Sequence, residues 1–326
     1  MPNHQRLQRG GVVALILALA LPIAARKNVL TDSILLSDPF ILADSATHTY
    51  YMTGTGGQLW TSTNLQTWDG PKHLIDIDTA SWMGKRPAIW AAELHHYNGK
   101  YYCLATITNN GTTIDEVRGQ RIPRRATHIF ESDTPGGPYR TASATPILPA
   151  NWATLDGTLW VDTDDKPYMV FCHEWLQAGF GTMEKIRLDA SLRNSIGTSH
   201  LMFSAADSPW SHDEKTGGPN VVTDGPFLFR TQSGRLGMIW SSWIDGVYTQ
   251  GVAYSKSGTL DGPWIHDEKP VTPEGYGHGM LFRDWKGRLL MAIHSHQVVG
   301  GRTVRHPHYF LMDDEDKLMT LAHFVP

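Results

Sequence analysis

Cysteine is nearly missing from this chain: 326 residues contain two, Cys103 and Cys172. A disulfide framework is excluded. Both fall in the second strands of neighbouring repeat units, where Cα atoms seldom come within the roughly 7 Å that a disulfide needs; two buried thiols are expected. No CxxC pair, HExxH helix, glycine-rich phosphate loop or GxSxG elbow occurs, so zinc hydrolysis, nucleotide chemistry and serine hydrolysis lose their usual signatures. Charge of either sign is also scarce, 28 basic against 32 acidic residues and 18% charged in all. Without an extended cationic surface, nucleic acid is not expected as a partner. Beyond the N-terminus no run approaches the roughly 18 apolar residues that span a bilayer.

The N-terminus reads differently from the rest. His4, Arg6 and Arg9 precede an apolar stretch from Gly11 to Ala25, closed by the small residues Ala24 and Ala25. A basic head, an apolar middle and a small-residue exit make a secretory signal over 1–25. The mature protein is then a single domain over 26–326, secreted or periplasmic and monomeric.

What is abundant is repetition and aromatic mass, with 12 Trp and 11 Tyr. Five times an apolar strand, a polar turn and a second apolar strand follow one another, starting at Ser37, Ala88, Leu155, Thr223 and Gly277. The turns Asn98-Gly99, Asp164-Asp165, Ser233-Gly234 and Lys286-Gly287 have hairpin chemistry. Self-similarity of this kind marks a radial array in which each sheet hides its faces against its neighbours. An all-β, five-bladed β-propeller is predicted, with Asp38, Trp90, Asp156, Asp224 and His278 as equivalent positions. The inserts at 110–125 and 204–219 show no regular pattern.

In a propeller the inner strands all begin at one face, so Asp38, Asp156, Asp224 and His278 converge on a central cleft. Pairing about the Asp164-Asp165 turn predicts that Glu174 returns beside Asp156. Several carboxylates in one partly dry pocket cannot all stay ionised, which separates an acid from a base. Two carboxyls flanking a sugar ring can protonate a glycosidic oxygen and activate a water, so glycoside hydrolysis is the reaction suggested.

The segments SDPF, WAAEL, LDGTLWVD, TDGPFLF and GHGM, spread from Ser37 to the end, resemble the signature segments of glycoside hydrolase family 43. The resemblance implies a five-bladed propeller of inverting glycosidases that release arabinofuranosyl, xylosyl or galactosyl units from oligo- or polysaccharides, here expected to act from chain ends. It implies Asp38 as the base and Asp156 as the carboxylate that tunes and orients the acid. The family's acid is usually the Glu of an EGP segment in blade four. This chain has Asp224-Gly225-Pro226 there, so the proton donor is Glu174, Asp224 or Glu93. No cofactor is required for the chemistry; the resemblance suggests a structural calcium near the axis, with His278 beside it.

Aromatic side chains pair with the apolar faces of sugar rings. Trp60, Trp90, Trp175 and Trp243 are candidate subsite walls, and His294 and His296 candidate lining residues. Two rivals remain. A retaining, sucrose-cleaving type of propeller would display WMNDPN, RDP and an EC pair, none of which occurs. A non-catalytic carbohydrate-binding propeller would need the aromatics but not the carboxylates.

Overall fold

The computed structural model of the protein describes residues 26–326 apart from Thr216. The expected leader at 1–25 lies outside the described residues. The described residues form five blade sheets, antiparallel apart from short parallel pairings of Tyr139 with Ile75 and His212 with Ile244, and one small two-stranded sheet. The inner strands are Phe40–Asp44, Ala88–Tyr97, Thr154–Val161, Asp224–Arg230 and Tyr276–Arg283. Each pairs with a second strand, namely Thr49–Thr53, Lys100–Val117, Pro167–His173, Leu236–Ile244 and Leu289–Ser295, that is buried on both faces over most of its length except in the exposed outer part of Lys100–Val117. These are the five predicted hairpins. Asn98 and Gly99 both take positive φ, 48° and 75°, between the paired residues Tyr97 and Lys100, as a tight two-residue turn requires.

Apolar residues that point both ways along the inner and second strands fill the space between blades. Phe40, Tyr50, Ala292 and Tyr309 belong to one core cluster, which joins the last blade to the first. The ring is also closed by hydrogen bonds: Leu36 N–H donates to Arg305 O at 3.1 Å, and His306 Nδ1 bonds Ile34 O at 2.9 Å. The outermost strand of blade one, Arg26–Leu30, comes from the N-terminal side and pairs with Thr67–His73. Cys103 and Cys172 are free and buried.

A second strand runs antiparallel to the first, so it ends at the face where the inner strand begins. The connections from second to third strands therefore build the rim of the cleft. They differ widely in length. Blade one uses a short turn through Gly56-Gly57, whereas blade two extends Lys100–Val117 and Gln120–Ser132 into a long arm that closes at Val117 and Gln120. The 110–125 insert is thus a bulged hairpin rather than an irregular loop. Its period is hidden because bulges at Asn109–Thr113 and Thr113–Asp115 break the alternation. Blade three carries the short helix Trp175–Ala178 at the rim, and blade five the small hairpin Gln297–Val299 with Arg302–Val304.

Candidate active site

At the mouth of every inner strand the ladder breaks around one residue with positive φ. These residues are Asp38 (58°), Ala91 (40°), Asp156 (52°), Gly225 (49°) and His278 (54°). In blades two to five the break is a bulge beside the second strand. The equivalent positions are therefore Ala91 and Gly225, each one residue after the Trp90 and Asp224 that strand spacing picks out. Each bulge frees backbone N–H groups near the axis, and a buried donor must find a partner.

The partners come from the preceding blade. Thr55 Oγ1 accepts from Ala91 N–H at 3.0 Å, Thr106 Oγ1 from Asp156 N–H at 2.7 Å, and Ser241 Oγ from His278 N–H at 2.8 Å. His294 Nδ1 accepts from Asp38 N–H at 3.0 Å, which closes the circle. Blade three breaks the rule. Cys172 occupies the position, paired with Leu155, and the Asp156 carboxylate itself reaches across to take Gly225 N–H at 3.2 Å.

This ring aims three carboxylates at one imidazole. His278 Nδ1 lies 3.3 Å from Asp38 Oδ1, 3.8 Å from Asp224 Oδ1 and 3.9 Å from Asp156 Oδ2. Gly225 makes the approach possible: a Cβ there would stand 2.7 Å from the His278 ring. Thr55 Oγ1 donates to Asp38 Oδ2 at 2.5 Å, and Tyr248 O–H donates to Asp224 Oδ2 at 2.5 Å. Burial, then the charge of Asp224 with which it shares a hydrogen bond, then that of Asp38, push the Asp156 carboxyl well above the ordinary carboxylate range. Asp156 is therefore the carboxyl of this group that resists ionisation. Burial drives His294 down to about 3, so it stands neutral against Asp38.

The cleft above these groups has a volume of about 360 Å³. Trp90 and Trp243 line it, as do His294, His296 and Arg305. Beneath it the axis is closed by Phe40 and Phe227, 6.1 Å apart, and by the buried pair Glu93–His95 at 2.9 Å. Glu93 is thus below the cleft rather than in its wall. Trp60 is core in blade one, against Gly70. Trp175 sits on the rim helix and does not line the cleft.

Glu174 is also displaced from its expected place. The observed register pairs Thr154 with His173, and Glu174 N–H bonds Ala153 O at 2.9 Å, so Glu174 lies beyond Asp156. The bulge at Asp156 takes up residues that simple counting assigns to pairs. The Glu174 carboxylate is ion-paired with Arg125, whose guanidinium stacks on Trp90 at 4.1 Å. Burial raises its affinity for a proton and Arg125 opposes that. Its position makes it a brace for Trp90.

Asp156, Asp224 and His278 each offer a ligand atom within 4.8 Å of the others. Calcium takes roughly six to eight oxygens, whereas this set has two carboxylates and a nitrogen. Asp156 Oδ2 and Asp224 Oδ2 are moreover already accepting from Gly225 and Tyr248. By themselves these side chains supply too few oxygens for calcium, and waters would have to complete its shell.

Tyr248, Thr55 and Arg305 lie on third strands and rim connections, beyond the first and second strands from which the candidates came. Tyr248 follows the turn Asp245-Gly246, both with positive φ, and pairs with Trp243. An Asp-Gly turn flanked by aromatics at the end of a second strand is the signal that could have found it.

Residues 29–313 match the family described as Glycosyl hydrolases family 43. The crystal structure of endo-arabinase from Bacteroides thetaiotaomicron VPI-5482 is 32% identical, with a TM-score of 0.76 over 90% of this chain and 99% of that one. A thermostable family-43 glycoside hydrolase shares the fold, with a TM-score of 0.70 at 20% identity over 87% of this chain and 92% of that one. Probable arabinan endo-1,5-alpha-L-arabinosidase B of Aspergillus fumigatus is 23% identical over 176 residues, 50% of this chain. The match spans 43% of that curated relative's length.

Proposed function

The chain belongs to glycosyl hydrolases family 43, and from that membership we propose an inverting glycosidase that cleaves L-arabinofuranosyl linkages in arabinan-type polysaccharide. The observation that carries it is the meeting of Asp38, Asp156 and Asp224, from three blades, around His278 Nδ1. The arabinan substrate is supported by the likeness to the endo-arabinase, at 32% identity over nearly the whole of both chains. The same likeness supports cleavage within a chain over the end-wise action expected from sequence. The leader pattern at 1–25 supports action outside the cytoplasm, where such a polymer is met.

In this reading Asp38, held by Thr55 and His294, takes a proton from the attacking water as its oxygen bonds to the anomeric carbon. Asp224 gives its proton to the departing glycosidic oxygen on the opposite face. One water is consumed, one C–O bond breaks, and configuration inverts. Asp156 keeps that proton available through repulsion and burial, which disfavour a second negative charge. Trp90 and Trp243 supply apolar walls for sugar rings.

Linear arabinan digested by the purified protein tests this. A ladder of short oligomers with inverted anomers at early times is expected. Arabinose alone would restore end-wise action, and retained configuration or no turnover on arabinan would overturn the reading.

A further inference from the structure

The shorter acid raises a question of geometry. An Asp has one methylene fewer than the Glu usual at this place in the family. Its carboxyl therefore has less reach, and an acid must be aimed to within a fraction of an ångström to transfer its proton well.

Tyr248 lies where it can answer this. It is 4% exposed, and its O–H donates to Asp224 Oδ2 at 2.5 Å. Its ring fits only because residue 277 is glycine, where a Cβ would stand 2.2 Å from the ring. The ring stacks on His294, with centroids 5.5 Å apart and planes 17° from parallel. His294 in turn accepts the N–H of Asp38. A chain of rigid groups thus runs from Asp224 through two stacked rings to Asp38. Because Oδ2 accepts from the phenol, the proton of Asp224 belongs on Oδ1, the oxygen that faces His278. A buried Tyr hydroxyl needs some partner; here the partner is the acid itself.

We propose that Tyr248 is the positioning residue of the proton donor, fixing the short Asp224 side chain, reserving Oδ1 for the transferred proton and setting its distance from Asp38. This rests on Asp224 being the acid.

The test compares wild type and Tyr248→Phe on two substrates of equal length. One is an unsubstituted arabino-oligosaccharide, whose leaving alkoxide needs a proton; the other carries a nitrophenolate leaving group, which does not. On the unsubstituted substrate kcat is expected to fall about 10- to 100-fold, the share of one hydrogen bond to a carboxyl that becomes charged as its proton leaves, with KM within about threefold. On the aryl substrate the loss should stay below about fivefold. Equal losses on both, or none on either, overturn the proposal while wild-type turnover leaves the glycosidase reading standing. A wild type that turns over neither substrate overturns both. If Tyr248→Phe does not fold, 3,5-difluorotyrosine at 248 keeps the packing and alters only donor strength. A rate change confined to the unsubstituted substrate then supports the proposal, and a uniform change or none overturns it.

Discussion

Asp38 and Asp156 are both aspartates in a left-handed backbone conformation at the mouth of an inner strand, yet their surroundings differ. Asp38 is held by Thr55 and His294 and faces the cleft, whereas Asp156 is 3% exposed and pressed against Asp224. Asp38→Asn and Asp224→Asn are each expected to lower kcat on arabino-oligosaccharides by about 10²- to 10⁴-fold with unfolding temperature preserved, measured by initial rates and thermal melts. Glu174→Gln, which loses only the brace with Arg125, should cost less than about tenfold. The reverse ranking would return the acid's role to Glu174. Asp156→Asn removes one of two charges that compete for a proton. Repulsion then no longer opposes loss of the acid's proton, and the alkaline limb of the kcat profile should move to lower pH.

The bulge is the element on which the site depends. A strand that alternates regularly sends successive side chains to opposite faces, and only the extra residue turns a carboxylate inward at the axis while exposing an N–H for the neighbouring blade to accept. Thr106→Val and Ser241→Ala each leave such a buried donor without its acceptor, at a cost of about 1–3 kcal/mol; urea unfolding would read it. At blade three the acceptor is a catalytic group, since Asp156 caps Gly225. Asp156→Ala should therefore be less stable than Asp156→Asn, which keeps an acceptor oxygen, by a similar amount. Equal stabilities would show that the cap contributes nothing.

At the scale of the molecule, burial holds several histidines neutral. Burial drives His128 and His266 to about 4 and His294 to about 3, from an ordinary 6.5. The folded chain thus binds fewer protons than the unfolded one between those limits. Stability from these groups is full above about pH 6.5 and is lost as pH falls towards 4, at up to about 1.4 kcal/mol per unit for each. Asp156, Glu174 and Glu184, whose carboxyls burial raises, act in the opposite sense and offset part of this. Unfolding temperature should fall steadily from pH 6.5 to 4; a flat profile would contradict the burial of these rings. With two free thiols and no disulfide, a reductant should leave it unchanged.

The five hairpins, their turns and the axial meeting of Asp38, Asp156, Asp224 and His278 were legible in the chain because strand period and turn chemistry are local. A residue two apart shares a face, and Asn-Gly permits positive φ, whatever surrounds them. Tertiary structure alone decided which side chains complete the site. The bulge in blade three moved Glu174 past Asp156, and those in blades two and four shifted the equivalent positions to Ala91 and Gly225. Tyr248 and Arg305 arrive on third strands and rim connections whose lengths follow no period. Contacts between blades depend on packing across the ring, and sequence spacing does not encode the distance between residues that far apart in the chain.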